Sequence, residues 1–447
     1  MIPLVGVPKS IAESLEKYRE LFPRAKGFET VSRFITGLIL SPNKTLEGIH
    51  SQQLWEEGKA IKRRAMHHAV FEAGWQSEEI MPKHREIIAS EHQGQGKEVI
   101  SLDWTLTHHE KGDKIYGVKK QYDYVEGKMS RYQTVVTASI ANQNIIDGIE
   151  VVVQEPNYEK EELAYLEMTS QESYDQMKQV KERLLELLHY QKNRLAYRKR
   201  TEIAVDIVKQ IEIEGQFPKA NYAFDNGVLN LALTEVIEQS GKHWVSEIEK
   251  NRNINWKGNW TRVDVIEEEL KNTSASSFRH CQVQGRNGKV KSFWAFTKVV
   301  RLKKYGKKRL VIAHETEDLS DTPRFLITDA LHWDISRIIQ TWNYRWSVEV
   351  FHEFSKQITG LESSQVRKEE AVKRHFRLSC VAQSMLQRVA CIGQKSEKFT
   401  FAKEKPTIGQ RIYSLNREAL GQLLSLAEGL FAQGKSCQDI LEVFMPA

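Results

Sequence analysis

At Lys97 the hydrophobic pattern changes period, and that change restricts the fold more than any other feature of the chain. Before it, apolar residues recur at three- and four-residue steps, as Leu54, Ile61, Ala65 and Val70 do across 51–74. That spacing predicts short helices, punctuated at Gly27, Gly37, Pro42-Asn43, Gly58, Gly74 and Pro82. After it come three runs rich in Val, Ile, Tyr and Thr, at 99–104, 114–122 and 132–140, separated by turn-forming stretches at 110–113 and 126–127. These read as a three-strand meander. Helical pattern returns over 160–198 and 201–213. A short strand at 220–224 then delivers Asp225, and a helix over 228–239 stops at Gly241. Strand chemistry resumes at 278–284, 290–302 and 309–314, with turns at 285–288 and 305–306. One more strand at 324–328 precedes helices from 332 to 359 and a helical tail.

Three strands, a helix, a strand, a helix, and a later strand with a long helix is the order of an RNase H-like α/β unit interrupted by a β-rich insertion. The expected division is a helical N-terminal DNA-binding domain over 1–95, the first part of the core over 96–242 and the insertion over 243–323. The second part of the core follows over 324–392, then a C-terminal helical tail over 393–447. A chain of 447 residues is too long for one ordinary core. With 40% hydrophobic and 28% charged residues it is globular rather than disordered or fibrous. No apolar run approaches the ~18–20 residues of a membrane-spanning helix, and the N-terminus has no signal pattern. Four cysteines without a CxxC pair indicate neither a disulfide framework nor a structural zinc cluster. A cytoplasmic, nucleoid-associated setting is expected.

The net charge of +6 is uneven: residues 241–323 hold 17 Lys/Arg and 10 Asp/Glu, leaving the rest near neutral. Within that stretch Trp256, Trp260, Trp294 and Phe296 lie among Lys303, Lys304, Lys307, Lys308 and Arg309. Aromatics among cations can stack an unpaired base and hold its backbone, so these cations and Trp294 are candidate DNA contacts. The plainer alternative is that the tryptophans form the insertion's own core. The N-terminal helices, with 14 basic and 13 acidic residues across 1–98, carry no such excess. The adjacent pairs His67-His68 and His108-His109 face apart in regular structure and are read as no metal site.

Three acids stand where such a core does chemistry. Asp103 interrupts the apolar first strand, where a carboxylate is costly unless a cation or donors meet it. Asp225 ends a short strand, at the carboxyl edge where α/β sheets build their sites. Glu349 lies on a helix that places Arg345, Glu349, His352 and Lys356 on one stripe, at about 0°, 40°, −20° and 20°, with Phe351, Phe354 and Ile358 opposite. Carboxylates hold the paired divalent cations, about 3.5–4 Å apart, that in-line phosphodiester displacement uses; Arg345 and Lys356 would hold phosphates. Singly, each acid has a plain structural reading as a cap, turn or surface residue. Asp329 is read chiefly as a helix N-cap.

The segment Trp342–Lys356 resembles the Y-x2-R-x3-E-x6-K signature of IS4-related DDE transposases, with Trp342 at the Tyr position and Arg345, Glu349 and Lys356 matching. Its flanks, Gly360-Leu-Glu-Ser-Ser-Gln-Val-Arg367 and Arg374-His375, resemble more particularly the IS701-type insertion-sequence transposases. So do Ser101-Leu-Asp-Trp104, Tyr116–Tyr122 and Ala223-Phe-Asp225. A departure is the second-acid motif, here Asp225-Asn-Gly-Val-Leu. The resemblance implies an RNase H-like catalytic domain, with Asp103, Asp225 and Glu349 as catalytic triad and ligands of two Mg²⁺ or Mn²⁺ ions. It also implies cut-and-paste movement of double-stranded DNA bounded by terminal inverted repeats, by a homodimer assembled on the DNA. Two rival readings are a transposase-derived DNA-binding protein without catalysis and an RNase H-fold nuclease without strand transfer.

Overall fold

The computed structural model describes residues 2–55, 60–92, 96–112, 114–170, 180–285, 288–391 and 406–445. The turn residues Gly58, Asp113, Arg286 and Asn287, and 393–405 of the expected tail, lie outside these. Five helices come first: α1 (Lys9–Glu16), α2 (Ala25–Leu40), α3 (Leu46–Gln52), α4 (Arg63–Phe71) and α5 (Ile80–His92). Gly27 and Gly37, expected to break helices, lie inside α2. Gly37 is there for packing: a Cβ would stand 2.3 Å from the Ile49 side chain, so the glycine lets α3 cross close. The 51–74 pattern is likewise not one helix. α3 stops at Gln52, and Leu4 forms a bridge with Gln53 before α4 begins.

Strands β1 (Val99–His108), β2 (Lys119–Asp123), β3 (Lys128–Ala141) and β4 (Ile146–Val153) follow. The expected meander is therefore shifted. The run at 114–122 supplies only the short β2, and the third long strand is β4, which pairs with β3 antiparallel. After helices α6 (Glu159–Ser170), α7 (Val180–Ala196) and α8 (Arg200–Glu214) come β5 (Asn221–Phe224), α9 (Leu231–Gln239) and β6 (Trp244–Glu247). β5 is parallel to β1, and β6 is parallel to β5. The sheet then continues through β7 (Asn253–Trp256), β8 (Asn259–Arg262), helix α10 (Val263–Ser274), β9 (Arg279–Gln284), β10 (Val290–Leu302), β11 (Gly306–His314) and β12 (Arg324–Thr328). The twelve strands among the described residues form one mixed sheet in which β12 joins β6 to β11. The residues from 243 onward thus extend the same sheet, and β6 lies in its parallel centre.

Helices cover both faces. On one, Ile100, Leu102, Tyr222 and Phe224 pack beneath α8 and α9. On the other, Val99, Val135 and Ala223 share a core with α12 (Trp346–Gln357), α13 (Glu369–Arg388) and the N-terminal helices. Helix α11 (Ile335–Asn343) covers Val245, Val311 and Leu326. Gly148 of β4 sets the depth of α12: a Cβ there would lie 2.3 Å from the Phe351 ring. α14 (Ile408–Ala432) and α15 (Cys437–Phe444) end the chain, with Thr407 and Ser436 forming capping boxes. No described helix is long and apolar enough to cross a membrane.

Buried ions tie the N-terminal helices to the sheet. Arg85 of α5 bonds Glu150 (2.6 Å) and Glu214 (2.5 Å). His92 meets Asp147 at 3.0 Å, and Asp147 takes a further bond from Arg388 of α13 at 2.7 Å. These groups are satisfied by one another, which is the condition for keeping charge inside a core.

Candidate active site

Strand register builds the site. Leu102 of β1 pairs with Phe224 of β5, and Phe224 with Ser246 of β6. The next residue on each strand is therefore Asp103, Asp225 and Glu247. Neighbouring strands lie about 4.8 Å apart, and parallel register turns residues at one level to one face. Three carboxylates thus form a row at the edge where β5 and β6 end.

α12 lies across that face, parallel to β1. Ser101 Oγ donates to the Tyr344 carbonyl, Thr137 Oγ1 meets His352 Nε2 at 2.6 Å, and Lys356 Nζ donates to the Leu106 carbonyl at 2.7 Å. Glu349 is thereby brought opposite Asp103. The helix is rotated from the expected stripe: its buried seam is Ser347, Val348, Phe351, His352 and Ser355, with Phe354 only half-buried. His352 is a buried brace, its imidazole held down to about 3 by burial and by Lys356.

Arg345 occupies the centre. Its guanidinium bonds Glu349 at 2.6 Å, stands 3.9 Å from Asp103 and lies over the Trp342 ring. Asp103 is pushed up to about 7 by burial, with Asp225 next in weight and Glu349 adding to it; the Trp104 N–H and Arg345 act in the opposite direction. Glu247 is raised as well, by burial, with Arg324 and Arg345 opposing and Asp225 adding. The four acids therefore feel one another across a half-dry cleft.

Asp225 is aimed by its turn. Its Oδ1 accepts the Val228 N–H at 3.1 Å, and its carbonyl accepts from Ser246 Oγ. Gly227 lets this turn close against Trp104, whose ring would stand 3.1 Å from any Cβ at that position. The Asp-Asn-Gly departure thus has a steric reason. Arg200 lies over the Trp104 ring, 4.2 Å from its centroid.

An all-oxygen donor set in which charge crowding raises a carboxylate suits a hard divalent cation. The carboxylate oxygens are not drawn into one tight shell, since Arg345 reaches toward both Asp103 and Glu349. Among the described residues the group that does bring three ligand atoms within 4.8 Å is His108, Asp123 and Glu126. The sequence reading excluded His108 from any metal site, and its partners here are already engaged. Asp123 takes the Val125 and Glu126 N–H groups and His108, and Glu126 pairs with Lys128.

The remaining sequence candidates do not meet the acids. Gly306 and Arg309 of β11 lie at and beyond the register level of Thr328, opposite the edge reached by Glu247. The basic turn therefore projects from the far side of the sheet. Lys303, Lys304 and Lys307 are exposed there. Lys308 is buried against Glu238 at 3.0 Å, and Arg309 donates to the Leu331 carbonyl. Trp294 is half-buried against His280, and Trp256 is core. Asp329 accepts from the Trp244 N–H and pairs with His243; the N-cap of α11 is Asp334.

Glu247 is the residue that sequence reasoning missed. It follows Val245-Ser246 without a motif, and its signal is visible only once β6 is known to be parallel to β5. A groove of about 850 Å³ opens beside the row, lined by Trp104, Tyr132, Lys199, Arg200, Gly227 and Lys356 among others.

A mixed sheet with acids gathered at the carboxyl edge of its parallel strands, faced by a helix carrying another acid and a guanidinium, is the layout of a metal-dependent nuclease. Residues 17–259 match the DDE superfamily endonuclease family, more than half the chain, and the protein belongs to that family. Membership implies a nuclease-type enzyme with DNA as substrate, using divalent metal. The match takes in Asp103, Asp225 and Glu247 and stops before Arg345–Lys356. No curated protein matches the chain.

Proposed function

We propose that this protein is a DDE transposase of the IS4-related, IS701-like kind, cutting at terminal inverted repeats and joining the freed ends to new DNA. The observation that carries this reading is the approach of Asp103 of β1 to Asp225, at the end of β5, and to Glu349 of α12, with the Arg345 guanidinium between Asp103 and Glu349. The strand order β4-β3-β1-β5-β6, with β5 and β6 parallel to β1, supports an RNase H-like core, with 243–323 as an extension built onto its edge.

Asp103, Asp225 and Glu349 would hold the two Mg²⁺ or Mn²⁺ ions, with Glu247 beside them. Bound ions would supply activation of the attacking water or 3′-hydroxyl and stabilisation of the leaving oxygen. Arg345 neutralises the acids in the metal-free chain; when cations arrive it would turn to the phosphate flanking the cut, where a planar guanidinium binds two oxygens. Lys356, anchored at Leu106 and paired with Glu362 at 3.0 Å, would fix the strand further along. The exposed Lys303, Lys304 and Lys307 would hold DNA remote from the cut.

Two ends must be paired, which calls for two protomers. Tyr413, Arg417, Leu420, Leu424, Ala427 and Phe431 follow alternate four- and three-residue steps along α14, and Tyr413, Leu420, Leu424 and Phe431 are well exposed. That heptad seam suits a second copy of the helix.

The test is metal-dependent nicking of a plasmid carrying the DNA that flanks the gene, followed by detection of joined products. Asp103→Ala should abolish cleavage while DNA binding persists. Binding without any cleavage by the unaltered protein would favour the inactive DNA-binding reading, and cleavage without joined products the simple nuclease.

A further inference from the structure

The hairpin of β2 and β3 has no part in the reading above, and its end carries Val125 and Tyr124, the most exposed large apolar side chains among the described residues. Thr137 of β3 pairs with Asp103, and β3 runs nine residues further back to Lys128. At about 3.3 Å per residue the hairpin end stands roughly 30 Å from the acids. It extends past the carboxyl end of β1, on the catalytic side of the sheet.

Its end is apolar and unburied. Tyr124 is 89% exposed and Val125 90%, with Tyr122 and Met129 also open behind them. Tyr122 and Met129 are a cross-strand pair, and the Tyr122 and Tyr124 rings meet edge to face at 5.0 Å. Register places Tyr122 and Met129 on the same face as Asp103.

This end is also braced. Asp123 Oδ1 accepts the Val125 N–H at 2.8 Å and the Glu126 N–H at 3.2 Å, while Gly127 donates back to the Asp123 carbonyl. Gly127 has φ +66°, the left-handed conformation that closes the turn. His108 grips the second Asp123 oxygen at 2.7 Å, and Tyr132 donates to the Tyr122 carbonyl. Two large apolar side chains are thus held in solvent by a turn whose conformational freedom is already lost, the condition under which insertion into a partner costs least.

The charges around the patch indicate the partner. Residues 119–131 hold four cations against two acids; Lys128 pairs with Glu126 and Lys119 with Glu161, while the cross-strand pair Lys120 and Arg131 lies beside Tyr122 and Met129 on the face of Asp103. Apolar side chains with cations beside them, on the face that carries the acids, suit insertion between base steps.

We propose that the β2–β3 hairpin is a DNA wedge. Tyr124 and Val125 enter the duplex about one helical turn, some 34 Å, from the cleaved phosphate and unstack a base step there. The proposal rests on the nuclease reading and adds to it a second, non-catalytic grip that sets where along the duplex the cut falls.

The test uses the full chain and a duplex carrying the cut site mapped in the nicking experiment, with 2-aminopurine placed in turn at positions roughly 6–13 base pairs from the cut. With Ca²⁺ in place of Mg²⁺, a fluorescence rise confined to one or two steps is expected. The double variant Tyr124→Ser/Val125→Ser should lose that rise and bind about ten- to hundredfold more weakly, the range that stacking on an aromatic supplies. The slope of affinity against salt should not change, since every phosphate partner is kept. Tyr124→Phe should restore the rise, and an unchanged thermal midpoint excludes misfolding. Three results overturn the wedge: binding and cutting with no local fluorescence rise; an unaltered rise in the double variant; or loss of self-association in that variant with DNA binding intact, which would make the patch a protein contact. If the unaltered protein neither binds nor cuts DNA, the nuclease reading falls first and the wedge with it.

Discussion

Asp103 shows how much the site owes to single residues. Strand burial and the neighbouring acids hold it up to about 7, so the metal-free fold bears a cost for keeping these carboxylates together. Asp103→Asn should remove that cost. At pH 8 without metal the variant should be more stable, by up to about 4 kcal/mol, while cleavage disappears; thermal melts beside the nicking assay check both. An equal or lower melting point would show that Arg345 already offsets the repulsion. Glu247 is the second residue-scale case. Glu247→Gln should weaken Mn²⁺ binding measured by calorimetry while leaving the fold intact, and unchanged affinity would place Glu247 outside the metal's reach. Of the four acids, Asp103, Asp225 and Glu349 were candidates from the sequence: the aspartates because they interrupt or end a strand pattern, and Glu349 because it falls on the polar stripe of the signature helix. Glu247 was not, because its meaning comes from the strand beside it.

At the scale of elements, α12 is set by the small residue beneath it. Gly148→Ala drives a methyl group into the Phe351 ring, a clash that should cost about 1–3 kcal/mol and shift Glu349 relative to Asp103. Denaturant unfolding should register the first effect, and a drop in nicking larger than the stability loss explains should register the second. The basic turn of β10 and β11 is a contrasting case. Replacing Lys303, Lys304 and Lys307 with Ala should reduce the salt slope of DNA binding by about 0.9 for each phosphate no longer neutralised and leave the rate of cutting in bound complexes unchanged. Lys308→Ala should act on stability instead, since it exposes Glu238 and the face of Trp244.

Across the whole molecule, one buried ionic network joins the N-terminal helices, the sheet and α13. Burial alone would lower His92, but its bonds to Asp147 and Glu98 raise it to about 9. Its folded value lies above its unfolded one, so its contribution is complete below about 6.5 and is lost as pH rises through about 9. Stability should therefore decline between pH 7 and 9.5, and His92→Gln should flatten that decline; parallel slopes for the two proteins would exclude His92 as the cause. Breaking this network should loosen the N-terminal helices together with the sheet, because both belong to one continuous core.

The sequence by itself determined the periods of the elements and the places where acids break them. Burial of an alternating strand or a three–four helix is a local demand that each segment meets with its own side chains, so β5, β12 and the signature helix could be read directly. Only the tertiary structure decided which strands became neighbours. Pairing depends on residues far apart in the chain meeting one another, and this put β4 beside β3 along with the short β2 and made β6 the partner of β5. It also turned the Lys303–Lys307 edge away from the acids, because a one-strand change of direction in an antiparallel sheet exchanges its two edges.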